Sequence, residues 1–259
     1  MPTLAGMHYF VHLAEETTPS RPPVTLVHGA GGSYLTWHPY IRRLKDETVY
    51  ALDLPGHGQS EGDGRQSIDE YADDVVRFMD AANVQAAVLA GISMGSAIAL
   101  SLALMNPHRV AGLVLIGGGG KMRVAPSILE SVENPGTFAS TVETINANFF
   151  SNASHGLIRL SKQGLLKTDP SVLFGDFLAC DQFDVTDRLA EIKIPALILC
   201  GEHDRMMPPK FSHSLRDALP NARLMIVGDA GHMAQLEQPD VVAEAMKQFL
   251  DDLPLLSAP

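Results

Sequence analysis

Short runs rich in aliphatic and β-branched residues recur along the chain at 24–27, 49–54, 86–92, 113–116, 196–199 and 224–227. A run without polar alternation reads as a strand covered on both faces. Between the runs the period changes. Ile68, Tyr71, Ala72, Val75, Met79 and Ala82 share one helical face, and Ser67 with Glu70 forms a capping box ahead of them. Strand and helix alternate, so the pattern predicts an α/β fold with a mostly parallel central sheet flanked by helices. The alternation lapses between 121 and 190, where six of the ten phenylalanines (Phe138, Phe149, Phe150, Phe174, Phe177 and Phe183) are spread through helix-compatible sequence. This stretch predicts an inserted helical cap, residues 121–190, on a core domain formed by 1–120 and 191–259. Half of its aromatic rings are expected to pack among themselves and the rest to line a pocket.

Composition narrows the function classes. The 259 residues fit one large domain, and 46% hydrophobic with 19% charged content excludes a disordered or fibrous chain. Lys plus Arg total 19 against 30 Asp plus Glu, and a net charge of −11 repels phosphate backbones and anionic lipid, so no nucleic-acid partner is expected. Two cysteines, Cys180 and Cys200, fit a reducing compartment and supply neither a disulfide framework nor a metal cluster. Residues 1–13 hold no Lys or Arg and no long apolar run, and the stretch 110–116 is far shorter than the ~20 residues that span a bilayer. A cytoplasmic protein without membrane insertion is expected.

The pattern Gly-x-Ser-x-Gly occurs twice, at Gly91, Ile92, Ser93, Met94, Gly95 and at Gly58, Gln59, Ser60, Glu61, Gly62. The pattern alone is a weak signal, and local context separates the two. A nucleophile elbow requires a buried strand running straight into a helix, because its serine sits in a strained turn that small neighbours tolerate. Ser93 has the strand 86–92 before it and the helix-compatible 94–105 after it, rich in small residues, with a helix N-terminus that favours a developing anion. Ser60 lies among turn formers, Pro55 to Gly58 before it and Gly62 to Gly64 after it, with no helix starting there.

A serine hydroxyl needs a histidine to take its proton and a carboxylate to orient that histidine. Asp204 follows the strand 196–199, and His232 follows the strand 224–227. In a parallel sheet both loops share an edge with the turn at Ser93, the edge at which α/β folds bind ligands. His203 competes as base and Asp229 or Glu237 as acid, although Asp229 is expected to be solvated loop. Cys200 ends a buried strand without an elbow and is expected to be packing.

With these residues in place, the chain resembles the α/β-hydrolase family over almost its whole length. The order Ser93, Asp204, His232 matches that family's triad order; His28 to Gly32 is similar to its His-Gly oxyanion loop and Asp53 to Gly58 to its next strand exit. The resemblance implies an oxyanion hole of two backbone amides, Met94 and Ala30, with Gly31 as the alternative to Ala30. It implies supporting roles in the two loops for His28 and His57. A serine at the elbow excludes the chemistry of family members that carry an aspartate there. The lack of a lysine beside His232, where Met233 stands, argues against a hydroxynitrile lyase. The resemblance therefore implies a serine esterase without a cofactor, whose small-molecule substrate is an ester of an apolar, short to medium acyl group. Trp37, Phe138, Phe149 and Met233 are expected substrate contacts. The alternatives are a lactone hydrolase, a carbon–carbon bond hydrolase or a cofactor-free peroxidase using the same triad, and, in another class, a small-molecule receptor on the same fold.

Overall fold

The computed structural model describes residues 2–15 and 21–254. The expected core domain also takes in residues 1, 16–20 and 255–259, which lie outside the described ones. Eight strands form one sheet among the described residues: β1 (Thr3–Leu4), β2 (Met7–His12), β3 (Val24–Val27), β4 (Val49–Leu52), β5 (Ala87–Ile92), β6 (Val110–Ile116), β7 (Ala196–Gly201) and β8 (Ala222–Val227). Their order is β1-β2-β4-β3-β5-β6-β7-β8. From β4 to β8 all pairings are parallel, while β1 and β2 pair antiparallel at one end. The six apolar runs each became a parallel strand. The antiparallel pair has no such run, because only Met7 and His8 of β2 are buried and the rest of the strand is half-exposed.

The parallel crossovers carry helices α1 (Pro39–Arg42), α2 (Ile68–Ala81), α3 (Met94–Met105) and α8 (Pro209–Ala218), and after β8 come the short α9 (Ala234–Glu237) and α10 (Pro239–Asp251). Between β6 and β7 stand four more, α4 (Pro126–Glu133), α5 (Phe138–Phe149), α6 (His155–Leu165) and α7 (Pro170–Gln182). At the start of α2 the Ser67 side chain accepts the Glu70 N–H at 3.2 Å, and the Glu70 carboxylate accepts the Ser67 hydroxyl at 3.0 Å. Side chains alternate between the sheet faces. Leu89, Leu113 and Ile198 pack with α2 and α3, while Val88, Ala90, Ile92, Val114 and Leu199 pack with α1 and α10.

The ends of the helical insertion meet. Lys121 bridges Asp184 in antiparallel fashion, Val185 N–H donates to the Gly120 carbonyl at 2.8 Å, and Met122 N–H donates to the Phe183 carbonyl at 3.2 Å. Phe138, Val142, Ile145, Phe149, Leu165, Leu173 and Phe177 join the same apolar layer as Ile92 and Trp37, so the insertion shares the core of the sheet. Among the described residues no helix is long and apolar enough to cross a membrane.

Candidate active site

The turn between β5 and α3 puts Ser93 at φ 54°, ψ −118°, a left-handed conformation that costs a non-glycine residue about 1–3 kcal/mol. The surroundings hold it there. Ser93 N–H donates to the Ile116 carbonyl at 2.9 Å and its carbonyl accepts the Ser96 N–H at 2.8 Å. The motif's two glycines are needed for close approach: a β-carbon on Gly91 would overlap the Gly95 carbonyl, and one on Gly95 would overlap the Val27 carbonyl. Only hydrogen lets α3 start flush against β5 and β3.

Loops from neighbouring strands close around this turn. A β-carbon on Gly29, after β3, would stand 3.2 Å from Ser93 Cβ, and one on Gly117, after β6, would stand 3.0 Å from His232 Nδ1 and 3.2 Å from Asp204 Oδ2. His232, after β8, lies with Nδ1 2.8 Å from Asp204 Oδ2, and both residues are buried. The other Asp204 oxygen accepts the N–H groups of Met206 at 2.9 Å and Met207 at 2.8 Å, so the carboxylate is held from three sides. Because a carboxylate only accepts, Nδ1 carries the imidazole proton and Nε2 is left as the acceptor.

The remaining sequence candidates divide by partner. His203, beside Glu202, and Asp229 are both exposed. Glu237 is not loop decoration: it accepts the Gly231 N–H at 2.6 Å and the N–H groups of Ser151 at 2.8 Å and Asn152 at 2.7 Å, tying the His232 loop to the residues after α5. Ser60 is fully engaged, donating to the Asp53 carbonyl at 2.6 Å and accepting the His8 N–H at 2.8 Å. Burial pushes the Cys200 thiol up to about 11, which keeps it protonated and inert. His28 donates from Nδ1 to the Gly29 carbonyl at 2.8 Å and accepts the Leu54 N–H on Nε2 at 3.0 Å, so it is neutral and joins two loops.

Of the expected substrate contacts, Phe149 lies 5.8 Å from His232 between ring centroids, and Met233 donates its N–H to the Phe149 carbonyl at 3.1 Å. Phe138 is nearly buried in the same apolar layer. Trp37 departs from the expectation: it is 0% exposed, sealed among core residues, and has no open face for a substrate. The Gly31 N–H donates to the Asp176 carboxylate of α7 at 2.8 Å, whereas the N–H groups of Ala30 and Met94 have no protein partner among the described residues. Asp176 was missed in the sequence. Its only signal is a lone carboxylate inside the apolar run 172–180, since its partners lie more than a hundred residues away.

A family model described as "Alpha/beta hydrolase family" matches residues 26–245. The chain is 30% identical to the uncharacterized hydrolase YugF of Bacillus subtilis, with 96% of each chain covered. It is 29% identical, over 88% of its own residues, to the dihydrolipoyllysine-residue acetyltransferase component of the acetoin cleaving system of Pseudomonas putida, of which it spans 63%. A thermophilic esterase from Thermogutta terrifontis, solved with malate bound, superposes with a TM-score of 0.84 at 25% identity, covering 95% of this chain and 93% of that one. The strained serine turn, the buried His–Asp pair and this match together make the chain a member of the α/β-hydrolase family.

Proposed function

We propose that the protein is a serine hydrolase that cleaves carboxylic esters of apolar, short to medium acyl groups through an acyl-enzyme on Ser93. The observation that carries this reading is the strained Ser93 turn, set in one cluster of loops with the buried His232–Asp204 pair. In the cycle, His232 Nε2 takes the Ser93 proton as Oγ attacks the ester carbonyl. Asp204 steadies the imidazolium, and the Ala30 and Met94 N–H groups receive the oxyanion. The protonated His232 then gives its proton to the leaving alcohol, and a water activated by the same nitrogen releases the acid. Residues 121–190 act as the cap, with Phe138, Phe149 and Met233 against the acyl group. An esterase stands among the structural neighbours, in keeping with this choice, and relatives named for lactone, carbamate and carbon–carbon bond cleavage fit the alternatives equally. A net charge of −11 and two free, buried thiols fit a cytoplasmic enzyme of small molecules, without a nucleic-acid partner.

The test is turnover of p-nitrophenyl butyrate by Ser93→Ala and Ser60→Ala. Ser93→Ala is expected to lose at least about 10⁴-fold in kcat, with residual catalysis from the oxyanion donors, and to resist labelling by a phosphonate. Ser60→Ala keeps its activity. Lactones and vinylogous diketones run beside the esters separate the ester reading from its alternatives, because the substrate with the largest kcat/KM names the reaction.

A further inference from the structure

One carboxylate stands fully buried in α7 with no part in the cycle above. Asp176 accepts three hydrogen bonds from three separate parts of the chain: the Gly31 N–H at 2.8 Å, His57 Nε2 at 2.8 Å and the Tyr71 hydroxyl at 2.6 Å. His57 comes from the loop after β4 and Tyr71 from α2, so two of the bonds moor α7 to the core. The partners fix the charge on His57. Its Nδ1 faces the Pro55 carbonyl at 3.0 Å and its Nε2 faces Asp176, and since both partners only accept, both nitrogens carry protons. Burial opposes that charge, but the Asp176 carboxylate outweighs it and raises the pKa of His57. Such an ion pair adds little net stability. What it fixes is position.

The position it fixes is that of Gly31. The Gly31 carbonyl accepts the Thr168 hydroxyl at 3.0 Å, and a β-carbon at residue 31 would stand 2.8 Å from Leu173 and 2.9 Å from Leu165. Gly31 also has φ +63°, a conformation that favours glycine. The N–H, the carbonyl and the open side of this one residue are therefore all held by the helical insertion. On the other side of Ala30, Gly32 N–H closes a turn onto the Gly29 carbonyl at 3.0 Å. Ala30 lies between these anchors, and its own N–H has no protein partner among the described residues.

We infer that Asp176 is a positioning residue of the oxyanion hole: by holding the Gly31 N–H from α7 it aims the neighbouring Ala30 N–H at the carbonyl of an ester on Ser93, so the insertion completes the site as well as covering it. This rests on the ester-hydrolase reading. It also explains why Gly31, equally placed in sequence, is not the donor, since its N–H is already committed.

The experiment measures kcat and KM for p-nitrophenyl butyrate, the rate of phosphonate labelling at Ser93, and the melting temperature. It compares the wild type with Asp176→Asn, Tyr71→Phe, Thr168→Ala and Thr168→Ser. Asp176→Asn is expected to lower kcat roughly 10–100-fold, below the full loss of one oxyanion donor, with KM within about two-fold and labelling slowed in parallel. Tyr71→Phe removes a mooring bond but leaves Gly31 held, so its melting temperature falls while kcat stays within about three-fold of wild type. Thr168→Ala slows kcat and Thr168→Ser, which keeps the hydroxyl, restores it. A folded Asp176→Asn protein with wild-type kcat and labelling overturns the inference even if its melting temperature has dropped. Where that variant does not fold, wild-type kcat in Thr168→Ala does so instead. A wild type that turns over no ester overturns the ester reading and this inference together, whereas an active wild type with an indifferent Asp176 overturns only the inference.

Discussion

The rings of His28 and His57 lie 4.8 Å apart between centroids, tilted to one another, yet their partners give them opposite charge states. His57 faces two acceptors and is charged. Burial, and then the charge on His57, push His28 down to about 4. Below about pH 6.5 the unfolded chain binds a proton at His28 that the native state refuses until pH 4, so stability falls with acidification across that window. The full shift corresponds to about 3 kcal/mol. His57 works in the other direction: its raised pKa contributes stability at low pH that is lost as pH rises through its native value. Urea unfolding at pH 7 and pH 4.5 is expected to show His28→Gln losing about 2 to 3 kcal/mol less than wild type between the two, and parallel losses would refute the assignment. At this scale the strained Ser93 turn and the His232–Asp204 pair were legible because a turn motif, a strand before it and two later strand exits are local patterns. Asp176 was not, since the Gly31 N–H it accepts lies 145 residues away. Trp37 was misplaced because a sequence shows that an aromatic is near a loop but not which side of the loop is packed.

The elements that read well are those whose environment is uniform. β3, β5, β6 and β7 are covered on both faces and left runs dominated by apolar residues, and α3 begins at Met94 and ends at Met105 as the small-residue stretch predicts. β2 escaped because its far end is half-exposed; the insertion read as helical, but its helices were not delimited one by one because their apolar residues serve the sheet's core rather than one of their own. Two substitutions separate element stability from element placement. Ser67→Ala removes the cap of α2 and is expected to cost about 1 kcal/mol while leaving kcat within about two-fold. Gly95→Ala forces α3 away from the Val27 carbonyl and with it moves the Ser93 turn. Its kcat is expected to fall at least ten-fold, on the order of what small misplacements of a nucleophile cost. Thermal melts read beside turnover decide both, and a fully active Gly95→Ala protein would mean that the turn does not depend on the close approach of helix and strand.

At the scale of the whole molecule, the insertion's chemistry sets the expected choice of substrate. Its apolar residues merge with the layer that holds Ile92, Met233 and Phe149 beside His232. Its cations are largely engaged: Lys121 with Asp184, Lys162 with Glu143, Arg188 with Glu191, and Arg123 with the Met122 and Asp181 carbonyls. On the proposed reading a substrate therefore meets hydrocarbon in a chain of net charge −11. Each added acyl methylene contributes up to ~0.8 kcal/mol, so kcat/KM is expected to rise roughly ten-fold from acetyl to butyryl. Beyond the acyl length that fills the pocket the trend should reverse sharply, because an insertion sharing the sheet's core has little freedom to make room. Phe149→Ala disturbs His232 equally for every ester, so the butyryl-to-acetyl ratio of kcat/KM cancels that effect and reports the wall alone; it is expected to fall toward one. Acyl chains ending in a carboxylate should be the poorest substrates, since Arg159 and Lys167, whose side chains have no ion-pair or hydrogen-bond partner among the described residues, are exposed. If acetyl esters prove best and every longer chain worse, the aromatics of the insertion are core and not pocket. If the anionic esters prove best, those two cations must swing inward to meet them, and the apolar reading of the site fails.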